Sequence, residues 1–161
     1  MVQVQHCEVL CNAITALIAP ELYDCGLKAI NLIKEGREMK STHEHQQLWP
    51  SVFSGSQVIV NHVTPPHRDS GGGEMHYDLL VSAGTHKEAE LRLPELGLHL
   101  KYSPGVVVAL CGKVFLHEVQ DWLGGERVCV AHYMKDFVHE RLGVPHPALP
   151  REDDYLSLIG K

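Results

Sequence analysis

His67 and Asp69 stand two apart in His67-Arg68-Asp69, shortly after the apolar run Val58-Ile59-Val60. His117 follows 48 residues after Asp69, and Arg127 comes ten residues later at the head of the β-type segment Val128–Tyr133. Two imidazoles and one carboxylate on one face of a small barrel are the donor set of non-haem Fe(II) oxygenases. In an extended segment, residues i and i+2 project to the same face, so His67 and Asp69 can take two corners of such a site. His117 must supply the third from a different strand. Three protein ligands leave three positions open on an octahedral iron, two for a bidentate 2-oxo acid and one for dioxygen. Arg127 can hold the distal carboxylate of that acid in a two-pronged geometry that Lys does not reproduce. His-Arg-Asp is also the catalytic-loop tripeptide of protein kinases. No Gly-rich loop, strand Lys or Asp-Phe-Gly accompanies it here, and the chain is too short for that fold.

The elements that must position these residues change in character along the chain. Val9, Leu10, Ala13, Ile14, Leu17 and Ile18 repeat at helical spacing and predict a core helix that stops at Pro20. A second helix is expected from about Glu21 to Met39, its apolar stripe formed by Leu22, Ala29, Ile30 and Ile33. Residues 41–47 are polar and read as a loop. Beyond Gln57 come short β-type runs at Val58–Val60, Leu79–Val81, Val106–Leu110 and Val128–Ala131. Turn signals separate them, among them Thr64-Pro65-Pro66, Gly71-Gly72-Gly73, Ser103-Pro104-Gly105 and Gly124-Gly125. Leu91, Leu93, Leu96, Leu98 and Leu100 add apolar positions at even spacing, with Pro94 interrupting. Many short strands of this kind predict a barrel or double-sheet jelly roll. A helix returns near Asp136–Leu142, stopped by Gly143. Tyr155, Leu156, Leu158 and Ile159 in the tail could drape over the core. A single domain over 1–161 is expected, helical to about 47, β-rich over about 50–135, with a C-terminal helix and tail over 136–161.

Composition narrows the function classes. Twelve His among 161 residues raise the question of a metal site on their own. The net charge of −6 disfavours a domain that holds nucleic acid by charge alone, and its scattered Lys and Arg form no basic run. Five Cys without a Cys-x-x-Cys pair are too few for a disulfide framework, which fits a reducing intracellular setting, nuclear or cytoplasmic. No apolar run reaches the length of a membrane span, so no membrane partner is expected. A monomer is expected.

The arrangement resembles the 2-oxoglutarate/Fe(II) dioxygenase superfamily, and the local text resembles the fungal branch of the TET/JBP nucleic-acid base hydroxylases. The stretches that carry the likeness are Asn61–Asp69, Tyr77–Leu80, Ser103–Gly105 and Arg127–Met134, the last continuing into Phe137–Gly143. The resemblance covers roughly residues 50–145. It implies an α+β fold, a double-stranded β-helix with N-terminal helices packed on one sheet. It implies Fe(II), 2-oxoglutarate and O2 as cofactors, with decarboxylation of 2-oxoglutarate to succinate and hydroxylation of a methyl group on 5-methylcytosine or a related base in DNA or RNA. A base within a duplex is reached only when flipped out.

By the same resemblance His67, Asp69 and His117 are the iron ligands, and Arg127 binds the distal carboxylate of 2-oxoglutarate. Asn61 is expected to meet the co-substrate or the base, since AlkB-type repair enzymes also place an Asn upstream of His-x-Asp. Cys129 stands where TET enzymes have a Ser near the co-substrate. Tyr133 matches an aromatic position that stacks near the base, and Lys135 stands where those enzymes have a base-contacting His. His132 falls on the opposite strand face from Arg127. The loop Ser70–Glu74, with Gly72 at its centre, reads either as a substrate loop or as a linker, and His76 is a further candidate for the substrate side. Trp122 could stack near the site, and Trp49 and Phe53 are expected in the core. Two other readings stay open: the same chemistry on a small molecule, free nucleoside or protein side chain, and a non-catalytic metal-binding jelly roll.

Overall fold

The computed structural model describes residues 2–36 and 46–147, apart from the side chains of residues 2–4. Two helices, α1 (Val2–Ile18) and α2 (Pro20–Glu35), precede eight strands. These are β1 (Gly55–Val60), β2 (Thr64–His67), β3 (Asp78–Gly84), β4 (Glu90–Leu93), β5 (Leu98–Lys101), β6 (Val107–Leu110), β7 (His117–Val119) and β8 (Arg127–Tyr133). A short helix, α3 (Asp136–Leu142), follows. The expected C-terminal stop is present, with Gly143 in the left-handed conformation at φ +63.

The strands form two antiparallel sheets, ordered β1-β8-β3-β6 and β2-β7-β4-β5. The pairs β1–β8, β2–β7, β3–β6 and β4–β5 are nested, as if one long hairpin had been wound on itself. The hairpin's tip is the 3₁₀ turn Pro94–Leu96, closed by Gly97 at φ +62. This is the double-stranded β-helix, and the fold is α+β. Its consequence for chemistry is direct: nesting sets β2 beside β7, so residues far apart in sequence meet.

One core fills the space between the sheets, built on Leu91, Leu93, Tyr102, Leu110, Val119 and Cys129. A second lies between the helices and the outer face of the β1-β8-β3-β6 sheet, built on Cys11, Leu22, Val52, Phe53, Leu79 and Met134. Each large apolar side chain buried there contributes about 1.5–3 kcal/mol. Phe53 is fully buried, as expected, and Trp49 is half-buried with its indole N–H donating to the Phe53 carbonyl at 2.8 Å. Gly26 lets α2 approach closely, because a Cβ there would overlap Met134 and the Val52 carbonyl.

Four expectations change. Pro20 does not merely stop α1; it opens α2 as its first residue, where its missing N–H costs nothing. The second helix ends at Glu35 with Gly36 capping back to the Leu32 carbonyl, and residues 37–45 lie outside the described residues, as does the tail from 148. Thr64-Pro65-Pro66 is not a turn but part of β2, whose register against β7 shifts between Thr64 and His67. Prolines are tolerated there because a bulge leaves ladder positions unpaired.

The fourth change concerns α1, whose apolar stripe faces outward. Val9, Leu10, Leu17 and Ile18 are exposed, whereas Glu8, Cys11 and Thr15 are buried. Hydrogen bonding explains the inversion. Asn12 donates from Nδ2 to the Pro50 carbonyl at 2.9 Å and accepts from the Val52 N–H at 3.0 Å. Glu8 Oε1 lies 2.8 Å from Nε2 of the fully buried His132 on β8. His132 does sit on the face opposite Arg127, but as the anchor of a helix rather than as a site residue. Burial pushes the Glu8 carboxyl up, yet hydrogen bonds from His132 and Ser51 outweigh it and hold the group below its ordinary value of 4.5. The depressed value in the fold means that the native state favours the ionised form. The stabilisation is present above about pH 4.5 and drains away as pH falls below it. Glu8→Ala is therefore expected to cost about 2 kcal/mol at neutral pH, from the unpaired buried group it leaves. The difference from wild type should shrink in acid, as read from urea midpoints at pH 7 and pH 3.5.

Among the described residues, no helix is long and apolar enough to cross a membrane.

Candidate active site

His67 and His117 are register partners across the β2–β7 pair. Their rings lie 4.2 Å apart between centroids. Asp69 stands just beyond the end of β2, not within the strand, and is held there by its N–H donating to the Gly112 carbonyl at 2.9 Å. Its carboxylate reaches both imidazoles, with Oδ1 3.7 Å from His67 Nε2 and Oδ2 3.8 Å from His117 Nε2. One donor atom from each of the three lies within 4.8 Å of the others, a set able to hold one metal ion.

The orientation of both rings is fixed from behind. His67 Nδ1 lies 2.9 Å from the Pro65 carbonyl, and His117 Nδ1 lies 3.0 Å from the Phe115 carbonyl. A carbonyl only accepts, so Nδ1 donates in both rings, and the neutral form of each ring presents the Nε2 lone pair toward Asp69. Burial, helped by the neighbouring His67, holds His117 below the usual imidazole range despite the opposing pull of Phe115 and Asp69. A neutral ring is the form that binds metal. Arg68, the middle residue of the tripeptide, points away: it donates from Nε to the Val114 carbonyl and pairs with Glu95, which in turn accepts from the Leu116 N–H. It therefore ties β2 to the segment that leads into His117.

Two supports were not visible in the sequence. Gly112 packs so tightly that a Cβ there would overlap the carboxylates of Asp69 and Asp78. Asp78, the first residue of β3, is buried beside Asp69. Burial first, then the Asp69 charge, push its carboxyl up to about 7 against the pull of the Gly112 N–H and Lys135. Near neutral pH it holds a proton part of the time and can donate it toward Asp69.

The metal-type donors form part of the lining of a cavity of about 150 Å³, together with Arg127, Tyr102, Cys129, Tyr133, Gly72 and Lys135. His67 and Asp69 are more than a third exposed, whereas His117 is buried, so the donor set opens outward on one side only. Arg127 is 2% exposed, and among the described residues no carboxylate pairs with it. Its Nη1 donates to the His62 carbonyl at 2.9 Å, while Nε has no partner. Tyr102 and Trp122 flank the guanidinium, each ring centroid 5.7 Å away. A buried cation without an anion costs several kcal/mol. An acidic ligand reaching it from the cavity would remove that cost. Cys129 is a neutral thiol held up by burial, 3.3 Å from the Tyr102 hydroxyl.

Two sequence candidates lie elsewhere. Asn61 directly follows β1 at φ +49 and turns its Oδ1 to accept the Arg127 backbone N–H at 2.8 Å. It does not line the cavity; its side chain ties the end of β1 to the strand that carries Arg127. His76 is 1% exposed beneath the Gly71–Gly73 loop, facing the Met134 carbonyl and away from the cavity. Spacing along the chain could aim neither, because Asn61 has a left-handed backbone and His76 lies in a loop. Tyr133 lies over Gly55, where a Cβ would strike its ring, and Lys135 Nζ sits 4.5 Å from the same ring. Trp122 stacks on Arg127 instead of reaching the metal-type donors.

The Tet_JBP family model, described as the oxygenase domain of the 2OGFeDO superfamily, matches residues 2–136. No curated protein matches the chain. Among solved structures, one described as NgTET1 in complex with 5mC DNA is similar at 14% identity and a TM-score of 0.50, over 81% of this chain and 48% of that one. The present chain thus spans about half the length of that relative, and the likeness is one of fold. A Cupin 2 conserved barrel domain protein from Salinispora arenicola CNS-205 is similar at 20% identity and a TM-score of 0.39, over 61% of this chain and 78% of that one.

Proposed function

The chain belongs to the Tet_JBP family of oxygenase domains of the 2OGFeDO superfamily, and from that footing we propose that it hydroxylates the methyl group of a modified nucleic-acid base, 5-methylcytosine or a close relative. It is a 2-oxoglutarate/Fe(II) dioxygenase, and the superfamily uses Fe(II), 2-oxoglutarate and O2. The residues present fit those groups on two counts: the two-His, one-carboxylate donor set, and the buried Arg127 with an unpartnered Nε.

In this reading His67, Asp69 and His117 hold iron through the lone pairs that their backbone partners leave free. Arg127 takes the distal carboxylate of 2-oxoglutarate, with Tyr102, Trp122 and Cys129 walling it from water. When bound, iron with 2-oxoglutarate and O2 supplies the oxidation: the 2-oxo acid loses CO2 to become succinate, and one oxygen atom enters a C–H bond of the substrate. Asp78, buried beside Asp69, steadies that carboxylate's orientation whenever it is protonated and can donate to it. Tyr133 offers a ring face, and Lys135 a cation, where a flipped base would stack. Gly72 lines the same opening without a side chain to obstruct it.

The observation that carries the reading is the single cavity shared by the metal-type donors and the unpaired Arg127. At about 150 Å³ it is smaller than the roughly 300 Å³ at which pockets for larger ligands begin. It suits a small dicarboxylic acid, so a base would be met at the opening. The net charge of −6 favours a second substrate class, a free nucleoside or other small molecule. Incubation with Fe(II), 2-oxoglutarate and oligonucleotides bearing 5-methylcytosine is expected to give products 16 mass units heavier. Turnover of free 5-methyl nucleosides with none of any oligonucleotide would replace the first substrate class by the second.

A further inference from the structure

A second group of metal-type donors lies on the far side of the Gly71–Gly73 loop from the cavity. His76 Nε2 is 3.3 Å from His146 Nδ1, and His146 Nε2 is 3.1 Å from Asp136 Oδ1. One donor atom from each of the three lies within 4.8 Å of the others. A third imidazole, His139, flanks them with its ring centroid 5.0 Å from His76 and 5.8 Å from His146. His76 is 1% exposed, whereas His146 and Asp136 have more than a third of their side chains in solvent, which leaves the group a way in.

The spacing is that of ligands. Two nitrogens bound to zinc at about 2.0–2.1 Å in a tetrahedral arrangement are about 3.3–3.4 Å apart, which is the His76–His146 separation. The His76 ring also has what a ligand needs behind it: its Nδ1 lies 3.3 Å from the Met134 carbonyl, which can take the proton and leave Nε2 free. Without a cation, buried imidazoles crowd one another for the benefit of a single half-exposed carboxylate. Imidazole with carboxylate is a donor set suited to zinc.

We propose that His76, Asp136 and His146 form a second, structural site for a zinc-type divalent cation, separate from the iron site and with water completing its coordination. The site joins the segment before β3 to the two ends of α3. His76 precedes β3, Asp136 opens α3, and His146 follows the end of that helix. It also reaches the cavity indirectly. The Asp136 N–H donates to the Gly71 carbonyl at 3.2 Å, and the His76 backbone N–H donates to the Gly73 carbonyl at 3.1 Å. Both flanks of Gly72, which lines the cavity, therefore hang on ligands of the second site. The cation fixes this loop.

The test uses the full chain with the iron ligands removed, H67A with D69A, stripped by chelator and dialysed against Zn(II). One zinc per chain is expected by elemental mass spectrometry. Adding His146→Ala should weaken zinc binding at least about 100-fold, beyond the loss typical of an outer-shell partner. Asp136→Asn provides a second variant if the first fails to fold. Zinc should also slow amide exchange at Gly71–Gly73 in the parent and not in the His146→Ala protein. No zinc in the parent, or zinc retained in both variants, would overturn the site; bound zinc without slowed exchange would overturn the loop's dependence on it.

Discussion

Arg127→Lys raises the KM for 2-oxoglutarate by about 10- to 100-fold and leaves Fe(II) affinity unchanged. The guanidinium is buried, fixed by the His62 carbonyl on one side and by the faces of Tyr102 and Trp122 on the others. Its Nε is the donor left over. A lysine keeps the charge but loses the planar fork and the stacking. Each charge-assisted hydrogen bond so lost is worth about 1.5–3 kcal/mol, and every 1.4 kcal/mol is about tenfold in affinity. Succinate release measured against 2-oxoglutarate concentration reads the shift directly. A KM that does not move would remove Arg127 from the co-substrate site. Asn61→Ala should act on the same KM more weakly, since it touches Arg127 only through the backbone N–H.

Gly112→Ala is expected to weaken Fe(II) binding about 100-fold while leaving the thermal midpoint within a few degrees of wild type. The added methyl would occupy the space of the Asp69 and Asp78 carboxylates. The backbone cannot retreat easily, because the Gly112 carbonyl holds the Asp69 N–H at 2.9 Å. The side chains must move instead, and disturbing what orients a ligating carboxylate costs about 10- to 100-fold in metal affinity. Gly72→Ala is the control. Its Cβ would meet nothing closer than Lys113 at 3.8 Å, so iron binding should persist. Titration of Fe(II) into both variants distinguishes them, and equal affinities would show that Gly112 does not set the position of Asp69.

These two residues also show what a sequence reveals and what it hides. Arg127 is legible because it opens a clear β-type run at a fixed interval from a His. His67, Asp69 and His117 are legible by type and spacing, even though β2 is half proline and β7 is only three residues long. Gly112, Asp78 and Tyr102 are not legible, because only the nesting of β1–β4 against β5–β8 carries them to the site. Parity along a strand placed Tyr133 and Cys129 on the cavity face. The likeness that singled out Asn61 said nothing of its left-handed backbone, which turns its Oδ1 to the Arg127 N–H. Periodicity likewise gave α1 its helix but the wrong face, since apolar spacing carries no information about Glu8 and Asn12 finding partners. Six of the twelve histidines fall into three places: a pair on β2 and β7, a buried helix anchor at His132, and the group of His76, His139 and His146.

The most direct test of the account is Fe(II)-dependent succinate formation in wild type and in His67→Ala, Asp69→Ala and His117→Ala. Truncating a metal ligand removes the metal's affinity rather than tuning it, so the loss should exceed the 10- to 100-fold typical of outer-shell partners. Succinate should form from 2-oxoglutarate in wild type, cease when Fe(II) is chelated, and fall by more than about 100-fold in each variant. Succinate formation that survives in any of the three at near wild-type rate would contradict the assignment of that residue to the iron, and survival in all three would contradict the site.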